Sequence, residues 1–530
     1  MGLVRVAAVQ LAASRDVDAN LAACLRLIDE AAAQGARLIV LPEFCNHMSF
    51  YADRAEAHRI ATRPGDDFLT AIADRAARHE VYVKINVTHA YADGRTGGTN
   101  FLFGPDGKPL AQCDKQTLMG AENDHLDPAT EAGPVVDTPL GRLGMYACME
   151  GVINEVARGL ALRGAQVLLN SLNSFALDEA SLHIPVRAAE NKTWVVAANK
   201  VGPLLPEDRL PQLSAALGVP AQWLHGAGES QIVAPDGTVV AKGPRTGEAV
   251  VVADIDPDLA DAKQRPDGVD VFAARRPEIY RPIAEAPQGR RRDPGAPTLP
   301  VAVVRGDPAT VYTETAKAAA DGVLLVVTPE ADPARLAEAL AGTPAYAVTA
   351  TEDGVVLVDA SGVVGVQPPL HACAAAPGTE LADGLRTFDL PWGRLALIGG
   401  LDTLFPEAYR LAALADADVV ASPFTAVEDW ELSLGLPERA AENRLNVVAA
   451  APLDQPSAIF ALSGDFTLWT AWQGPFTGRI SHPLVHHVPA GDVAARADVA
   501  PAQAANRLVS RRTDLVDGRP WRLLDALTER

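Results

Sequence analysis

The architecture is decided by the stretch Gly141-Arg-Leu-Gly-Met-Tyr-Ala-Cys-Met-Glu150, whose frame returns 252 positions later as Gly393-Arg-Leu-Ala-Leu-Ile-Gly-Gly-Leu-Asp402. The position of Cys148 in the first run is occupied by Gly400 in the second. Two further segments repeat at the same spacing: Arg187-Ala-Ala-Glu-Asn191 as Arg439-Ala-Ala-Glu-Asn443, and Asp137-Thr-Pro-Leu-Gly141 as Asp389-Leu-Pro-Trp-Gly393. The repeat predicts two copies of one domain, of which only the first carries a candidate nucleophile.

Length, composition and charge narrow the class of protein. At 530 residues the chain exceeds what one hydrophobic core normally supports. Its hydrophobic fraction of 48% and charged fraction of 21% are typical of a soluble globular protein. The net charge of −21 argues against nucleic acid and against a membrane as partners, since both favour a basic surface. No uncharged apolar run reaches the roughly 18 residues of a membrane helix, and the N-terminus reads as a strand rather than a signal peptide.

The cysteines indicate a reducing compartment. They are few, odd in number and without metal-ligand spacing: Cys24, Cys45, Cys113, Cys148 and Cys373. A disulfide framework is therefore not expected, and the cytoplasm is the expected location. Cys45 and Cys113 lie beside the motif residues described below, but strand alternation favours side chains that point away from a shared pocket.

Strands alternate with helices along the first copy. Apolar and β-branched runs predict strands at residues 4–11, 37–41, 81–87, 143–147, 167–170, 194–198, 229–234 and 238–242. Helical spacing occurs at residues 18–33, 68–79, 154–163 and 180–191, and residues 99–111 read as a hairpin. This order predicts a layered α/β domain in which two sheets can pair with helices outside.

Two segments fall outside this alternation. Residues 285–300 are rich in Pro, Gly and Arg without periodicity, which is typical of a linker. Residues 203–226 have no clear counterpart in the second copy and are interpreted as an inserted helical loop that can cover a site.

Four acid, base or nucleophile candidates lie at or near strand ends of the first copy: Glu43, Lys115, Glu122 and Cys148. Loops at the carboxyl ends of strands in an α/β sheet converge on one crevice. A cysteine at a strand-to-helix turn can expose its sulfur, and the following helix N-terminus favours the thiolate. Glu43 can accept the thiol proton and later activate water. Lys115 and the Met149 backbone N–H can stabilise the charge of a tetrahedral species, while Glu122 can position the lysine or the substrate.

This ordered combination of Glu, Lys and Cys resembles the nitrilase superfamily of carbon–nitrogen hydrolases. The resemblance rests on Leu41-Pro-Glu-Phe44, Asp114-Lys115 and Cys148-Met-Glu150, with Glu122 in the place of the family's auxiliary glutamate. The resemblance implies an αββα sandwich that associates as a dimer through its outer helix layers. It also implies a mechanism without a metal ion or an organic cofactor.

Applied to both copies, the resemblance implies two tandem αββα sandwich domains packed as an internal pseudo-dimer. The predicted boundaries are an active domain at residues 1–284, a linker at 285–300 and a catalytically silent domain at 301–530. The second copy keeps Thr328-Pro-Glu330 and a run, Gly400-Leu-Asp-Thr-Leu-Phe-Pro-Glu407, that looks like the family's amidase-type motif with glycine for cysteine. Leu370 takes the lysine position beside His371, and Cys373 lies in that lysine region rather than at the turn. Without a thiol or an ammonium group there, no covalent intermediate is expected.

Hydrolysis of a small linear amide through a thioester is the leading expectation, and two alternatives stay open. The first alternative is nitrile hydrolysis through a thioimidate, because Cys148-Met-Glu150 has the Cys-x-Glu form seen in nitrilases. A non-catalytic binding or scaffold protein is the other alternative, and acyl transfer to an amine also stays open. The expected partner is a small-molecule amide or nitrile, with further homo-oligomerisation undecided. Candidates for substrate contact are Met149, Asn173, Ser174 and Phe175, and beyond these Asn46, His47 and Tyr51.

Overall fold

The computed structural model describes residues 2–372 and 380–529. Its first half contains two six-stranded sheets. In chain order their strands are β1 (Val4–Gln10), β2 (Leu38–Val40), β3 (Tyr82–Ala90), β4 (Thr96–Phe103), β5 (Pro109–Asp114), β6 (Val135–Thr138), β7 (Gly141–Ala147), β8 (Val167–Ser171), β9 (Trp194–Ala198), β10 (Gln231–Val233), β11 (Val239–Lys242) and β12 (Ala249–Ile255). In space the first sheet runs β12-β1-β2-β3-β4-β5 and the second runs β11-β10-β9-β8-β7-β6.

The helices of the first half connect these strands. They are α1 (Val17–Ala33), α2 (Arg54–Ile60), α3 (Asp67–His79), α4 (Glu122–His125), α5 (Met149–Val152), α6 (Glu155–Leu162), α7 (Ile184–Asn191) and α8 (Leu210–Leu217). A π-helical turn, Glu179–His183, leads into α7, and short 3₁₀ turns occur at Ala221–Leu224, Pro257–Asp261, Pro277–Ile279 and Arg281–Ala284.

The first half is an αββα sandwich. The two sheets pack face to face, and Val6 and Leu38 share one buried cluster with Met145 and Val196 of the opposite sheet. The outer face of the first sheet is covered by α1 and α3, and that of the second by α6 and α7. Central strands buried on both faces need continuous apolar runs, and β9 (Trp-Val-Val-Ala-Ala) is such a run.

The second half repeats the architecture with two further six-stranded sheets, ordered β17-β16-β15-β14-β13-β24 and β18-β19-β20-β21-β22-β23. The strands are β13 (Leu299–Val304), β14 (Leu325–Glu330), β15 (Tyr346–Thr351), β16 (Gly354–Asp359), β17 (Gly362–Gln367), β18 (Thr387–Leu390), β19 (Gly393–Leu397), β20 (Val419–Pro423), β21 (Asn446–Ala450), β22 (Ser457–Ala461), β23 (Leu484–Val488) and β24 (Ala494–Val499). A small hairpin, β25 (Leu508–Ser510) with β26 (Thr513–Asp514), follows.

The helices of the second half complete the same four layers. They are α9 (Pro308–Ala320), α10 (Pro333–Ala339), α11 (Pro406–Leu414), α12 (Leu436–Asn443) and α13 (Asp525–Thr528), with short turns at Gly400–Leu404, Glu431–Gly435, Pro501–Ala505 and Trp521–Leu523. One sheet is covered by α9 and α10, the other by α11 and α12, and the sheets pack on each other between them. No helix in residues 2–372 or 380–529 has the length and apolar character needed to cross a membrane.

The two halves meet through α6 and α11 with exchanged ion pairs. Arg158 Nε donates to Glu407 Oε1 at 3.0 Å, and Arg410 Nε donates to Glu155 Oε1 at 2.6 Å. Glu407 and Arg410 stand at the predicted offset of 252 positions from Glu155 and Arg158. Each pair therefore repeats the other with the halves exchanged, which is the signature of a two-fold interface. All four side chains are buried.

A second exchanged set joins α7 to α12. Arg187 Nη2 contacts Glu442 Oε2 at 2.6 Å, and Arg439 forms the reciprocal pair with Glu190. His183 adds a hydrogen bond from Nδ1 to Glu438 Oε2 at 2.8 Å. The expected packing of two αββα sandwiches as an internal pseudo-dimer is thus confirmed.

The C-terminal segment of each half lies on the other half. Tyr280 and Ile283 belong to the buried cluster that includes Tyr409 and Ala412 of α11. Reciprocally, α13 contacts α6, and Arg275 Nη2 donates to the Leu527 carbonyl at 2.7 Å. These crossed segments extend the interface beyond the four facing helices.

Several features differ from the sequence expectations, and α2 and β6 are among the elements that were not predicted. β12, which pairs antiparallel with the whole of β1, was not predicted, because its residues lie far along the chain from that partner. The helix expected at residues 180–191 begins instead as the π-helical turn Glu179–His183. Within residues 285–300, which were expected to be a linker, Arg290 Nη2 contacts Asp418 Oδ1 at 2.5 Å, so this segment is held against the second half.

Candidate active site

Three of the four candidate residues follow strands that end at one edge of the sandwich. Glu43 comes after β2, Lys115 directly after β5 and Cys148 directly after β7. The Glu43 N–H donates to the carbonyl of Leu172, which follows β8, at 3.2 Å. The carboxyl ends of strands from both sheets therefore meet here, as strand-end loops of α/β folds do.

Lys115 joins the two candidate carboxylates. Its Nζ lies 2.6 Å from Glu43 Oε1 and 2.6 Å from Glu122 Oε2, and Lys115 and Glu43 are fully buried. Burial alone would lower the pKa of Lys115, but the charges of Glu122 and Glu43, with Cys148 nearby, raise it above its ordinary value. The ammonium form is therefore fixed. Among the described residues, Glu43 Oε2 has no hydrogen-bond partner, which leaves that oxygen available to a reacting group.

Cys148 occupies a strained turn between β7 and α5. Its φ of 52° lies in the left-handed region, which non-glycine residues rarely adopt and which is often retained at functional sites. The Cys148 N–H donates to Asn170 Oδ1 at 3.1 Å, which fixes this backbone conformation. Burial and then the charges of Glu43 and Glu179 raise the pKa of the thiol, while Lys115 and the Asn173 backbone N–H oppose them. The resting sulfur is thus a neutral thiol beside a carboxylate acceptor.

Glu150, the last residue of the Cys-x-Glu motif, holds backbone. Its Oε1 accepts the Gln116 N–H at 2.6 Å, and its Oε2 accepts the Ala147 N–H at 2.7 Å. Burial raises its pKa to about 7, against the opposing effect of these N–H donors and of Lys115. The carboxylate therefore ties the loop after Lys115 to the strand that ends at Cys148.

The predicted substrate contacts occupy three kinds of environment. The Asn173 backbone N–H lies near the Cys148 sulfur and lowers the pKa of the thiol, against the larger effect of burial. Met149 and Phe175 belong to one apolar cluster beside the Cys148 turn. The Ser174 hydroxyl accepts the Ala176 N–H at 3.2 Å and so stabilises its own loop.

Other residues near the motifs are held in backbone and core contacts. Asn46 Oδ1 accepts the Thr88 N–H at 3.0 Å, and Asn46 Nδ2 donates to the Thr88 carbonyl at 3.3 Å. His47 stacks on Tyr51, whose hydroxyl lies 2.7 Å from Thr88 Oγ1. Cys45 is buried in the core beneath α1 and α3, and Cys113 borders the core between the two sheets. Neither thiol shares the Cys148 turn.

Sequence reasoning missed two buried lysines near the site. Lys84 Nζ donates to the Tyr146 carbonyl at 3.2 Å and to Ser171 Oγ, and burial lowers its pKa to about 7. Burial likewise lowers the pKa of Lys200 to about 8. The available signal for Lys84 was a charged residue between the apolar Val83 and Ile85 of β3.

The second half also reaches the site. Phe466 and Ile480 share a buried cluster with Met149, and Trp469 meets Phe175 edge to face at 6.4 Å. Thr513 Oγ1 accepts the Gly120 N–H, close to Glu122, at 2.8 Å. These contacts join residues more than 290 positions apart, so no local sequence pattern predicts them.

The corresponding region of the second half is built differently. Gly400 has a φ of 55° at the position of Cys148, but Leu370 is fully buried and the exposed Glu330 stands at the end of β14. His371 Nδ1 contacts Asp402 Oδ1 at 2.8 Å, and its Nε2 contacts the Tyr280 hydroxyl. Cys373 lies outside the described residues. Across the part of the chain that is described, no group of three or more His, Cys, Asp or Glu side chains could hold a metal ion.

Comparison with known proteins identifies the family of the chain. The carbon–nitrogen hydrolase family model matches residues 5–265. A protein named nitrilase from Pyrococcus abyssi (strain GE5 / Orsay) is 31% identical over 280 residues, which are 52% of this chain and 99% of that protein. The N-carbamoylputrescine amidase of Arabidopsis thaliana is 27% identical, covering 52% of this chain and 94% of its own length. The omega-amidase NIT2 of Bos taurus is 29% identical, and the match covers 53% of this chain and 98% of that protein. The chain belongs to the carbon–nitrogen hydrolase family, the nitrilase superfamily.

Proposed function

We propose that the first half hydrolyses the C–N bond of a small linear amide through a covalent Cys148 acyl-enzyme. One observation carries the proposal: the Lys115 ammonium is held 2.6 Å from both Glu43 and Glu122, at the edge where the Cys148 turn also lies. A base, a fixed cation and a thiol in one buried site are the groups that acyl transfer through a thioester needs. Relatives named as amidases support the choice of bond.

In the acylation step, the Cys148 sulfur attacks the amide carbon while its proton passes to Glu43. A neutral thiol must lose this proton as it attacks, and the unpartnered Glu43 Oε2 is the acceptor. The negative charge that develops on the carbonyl oxygen is stabilised by Lys115 and the Met149 backbone N–H. Glu43 then returns the proton to the leaving nitrogen, and the C–N bond breaks to give a thioester.

In the deacylation step, Glu43 takes a proton from water, whose oxygen attacks the thioester carbon. The second tetrahedral species collapses, the sulfur leaves and regains its proton, and the carboxylic acid departs. Glu122 keeps Lys115 in place through both steps, because its Oε2 binds Nζ and also accepts the Met119 N–H at 3.0 Å.

Nitrile hydrolysis through a thioimidate is the second candidate. It is favoured by the 31% identity to a protein named nitrilase. The Cys-x-Glu form lends it little support, because the Glu150 carboxylate is occupied by two backbone N–H groups. Two further readings, a non-catalytic binding protein and acyl transfer to an amine, make different predictions in the experiment below.

We further propose that residues 1–284 form the active domain, 285–300 the linker and 301–530 a catalytically silent domain. The lack of a thiol at Gly400 and of an ammonium group at Leu370 supports the silence of the second half. A cytoplasmic setting suits the free thiols Cys24, Cys45, Cys113 and Cys148.

Ammonia release from a panel of linear amides and nitriles tests the proposal, with Cys148→Ala as the matched variant. Turnover of amides by the wild type but not by Cys148→Ala is expected. Equal turnover by the variant would exclude the covalent mechanism, and turnover of nitriles alone would select the second candidate. No turnover of any compound would favour the binding reading. Formation of a hydroxamate in the presence of hydroxylamine would report the acyl-enzyme, and its formation in preference to the carboxylic acid would favour acyl transfer to an amine.

A further inference from the structure

Glu179 is a buried carboxylate that the mechanism above does not use. It opens the π-helical turn Glu179–His183 and is 5% exposed. Within the described residues its Oε2 is buried without a hydrogen-bond partner, and the side chain forms no ion pair. Leaving a buried acceptor unpaired is costly, so such a group in a native structure calls for an explanation.

The turn that carries Glu179 packs against α5, which begins directly after Cys148. The negative charge of Glu179 disfavours ionisation of the Cys148 thiol. It also acts on Tyr146, whose strand leads to the Cys148 turn. An unpaired carboxylate at this position can bind the part of a substrate that does not react.

The charged groups around Glu179 favour a positive ligand. Asp178, Glu438 and Glu43 add negative charge, and His183 is the basic group that opposes them. Both ring nitrogens of His183 are already used, by Glu438 and by Ser481 Oγ at 2.8 Å. Burial and these carboxylates raise the pKa of Glu179 to about 8, and a bound ammonium group would favour its ionised form.

The second half holds the segment that carries Glu179. The Leu177 N–H donates to the Gly478 carbonyl at 2.7 Å. Asp178 Oδ2 accepts the backbone N–H groups of Ile480 at 3.0 Å and Ser481 at 2.7 Å, together with the Ser481 hydroxyl at 2.8 Å. The placement of Glu179 beside the thiol therefore depends on contacts with a segment about 300 residues further along the chain.

We propose that Glu179 is a specificity-determining residue that binds an ammonium or other N–H donor group on the non-reacting part of the substrate. The second half, through residues 478–482, holds it in place for that role. The proposal rests on the proposed function, since it names the class of amide that the Cys148 site accepts: a short amide with a basic group.

The experiment measures the rate at which Cys148 is modified, because this rate requires no turnover. Two thiol reagents of equal length are compared by intact mass, 2-aminoethyl methanethiosulfonate and propyl methanethiosulfonate. Each transfers its alkylthio group to the sulfur as a mixed disulfide and releases methanesulfinate. Cys148→Ala gives the contribution of the other cysteines, and a small free thiol gives the intrinsic ratio of the two rates.

In the wild type, the ammonium reagent is expected to be favoured by about tenfold beyond the intrinsic ratio, as a charge-assisted hydrogen bond allows. The isosteric Glu179→Gln variant should lose this preference, while Glu207→Gln, which removes one exposed charge from the insertion, should keep it. An equal preference in the wild type and Glu179→Gln would overturn the proposal, and so would failure of both reagents to reach Cys148. If the ammonium reagent is preferred only when Glu179 is present but no amide is hydrolysed, the proposed reaction is refuted, while the proposed binding role of Glu179 is supported.

Discussion

Cys148 and Gly400 occupy the same turn in the two halves, with φ values of 52° and 55°. The first is buried among the candidate catalytic groups, and the second is exposed. Apart from its chain neighbours, no atom of residues 2–372 or 380–529 lies within 4 Å of where a β-carbon of Gly400 would be. The backbone geometry of the Cys148 turn thus persists in the second half, where glycine replaces the thiol.

We therefore expect Gly400→Cys to add a reactive thiol without adding a second active site. The left-handed φ should cost about 1 kcal/mol of stability, and the exposed sulfur should react readily with alkylating reagents. Placed in the Cys148→Ala background, the new thiol should restore no amide turnover, because Leu370 provides no ammonium group. Recovery of activity in the double variant, measured as ammonia release, would contradict the silence of the second half.

Lys115→Met should cost both activity and stability. The substitution leaves Glu43 and Glu122 buried without their shared cation, and breaking such a buried pair costs about 3–5 kcal/mol. Thermal unfolding and ammonia release measure the two effects. Lys108→Met, which removes a lysine that is 78% exposed, is the matched control and should leave both near the wild-type values. A fully active Lys115→Met protein would exclude the proposed role of this ammonium group.

Glu407→Gln should destabilise the interface in a pH-dependent way. The carboxylate is buried against Arg158 and Arg275, and these charges overcome its burial to lower its pKa to about 2. The unfolded-state value is about 4.3, so the carboxylate stabilises the fold fully above that pH and loses its contribution as pH falls towards 2. The gap between wild type and variant should be about 3–5 kcal/mol at neutral pH and should shrink between about pH 4 and pH 2.

Denaturant unfolding at several pH values measures this gap. The control is Glu338→Gln, which removes a carboxylate that is 72% exposed and paired only at the surface. Its effect should stay small at every pH. If the difference in free energy of unfolding between wild type and Glu407→Gln does not change with pH, the charge of this carboxylate does not stabilise the interface through the two arginines.

A chain that ends at Pro287 should not behave as an independent enzyme. Its α6 and α7 would present Glu155, Arg158, Arg187 and Glu190 without their second-half partners, beside an uncovered apolar face. Self-association or insolubility and a large loss of turnover are expected, measured by size-exclusion chromatography and ammonia release. A soluble, monomeric and fully active product would refute the pseudo-dimer as a requirement for function.

Much of the fold could be predicted from sequence because its signals are local. The strand Trp194–Ala198 and the strand-end positions of Glu43, Lys115 and Cys148 follow from apolar runs and the residues that end them. The repeat at 252 positions likewise indicated two copies of one sandwich. Each of these inferences uses residues that are close together or that match one another directly.

The remainder depends on contacts between distant parts of the chain. β12 belongs in the first sheet because of its pairing with β1, about 240 residues earlier. The turn that carries Glu179 packs against α5 beside the Cys148 turn, and residues 478–482 bind Asp178 directly before it. The role of Glu150 was also hidden, since a motif shows which residue is present but not that its oxygens face backbone N–H groups.

The exchanged Arg–Glu pairs between α6 and α11 lie on a single polypeptide, which has a consequence for how the protein responds to dilution. Two separate subunits come apart as their concentration falls, whereas tethered surfaces meet at an effective concentration of about millimolar whatever the amount of protein present. Turnover per molecule should therefore stay constant down to very dilute solutions. The fusion also frees the two partners from having to be identical, so one can provide the reacting groups while the other shapes the wall that faces them.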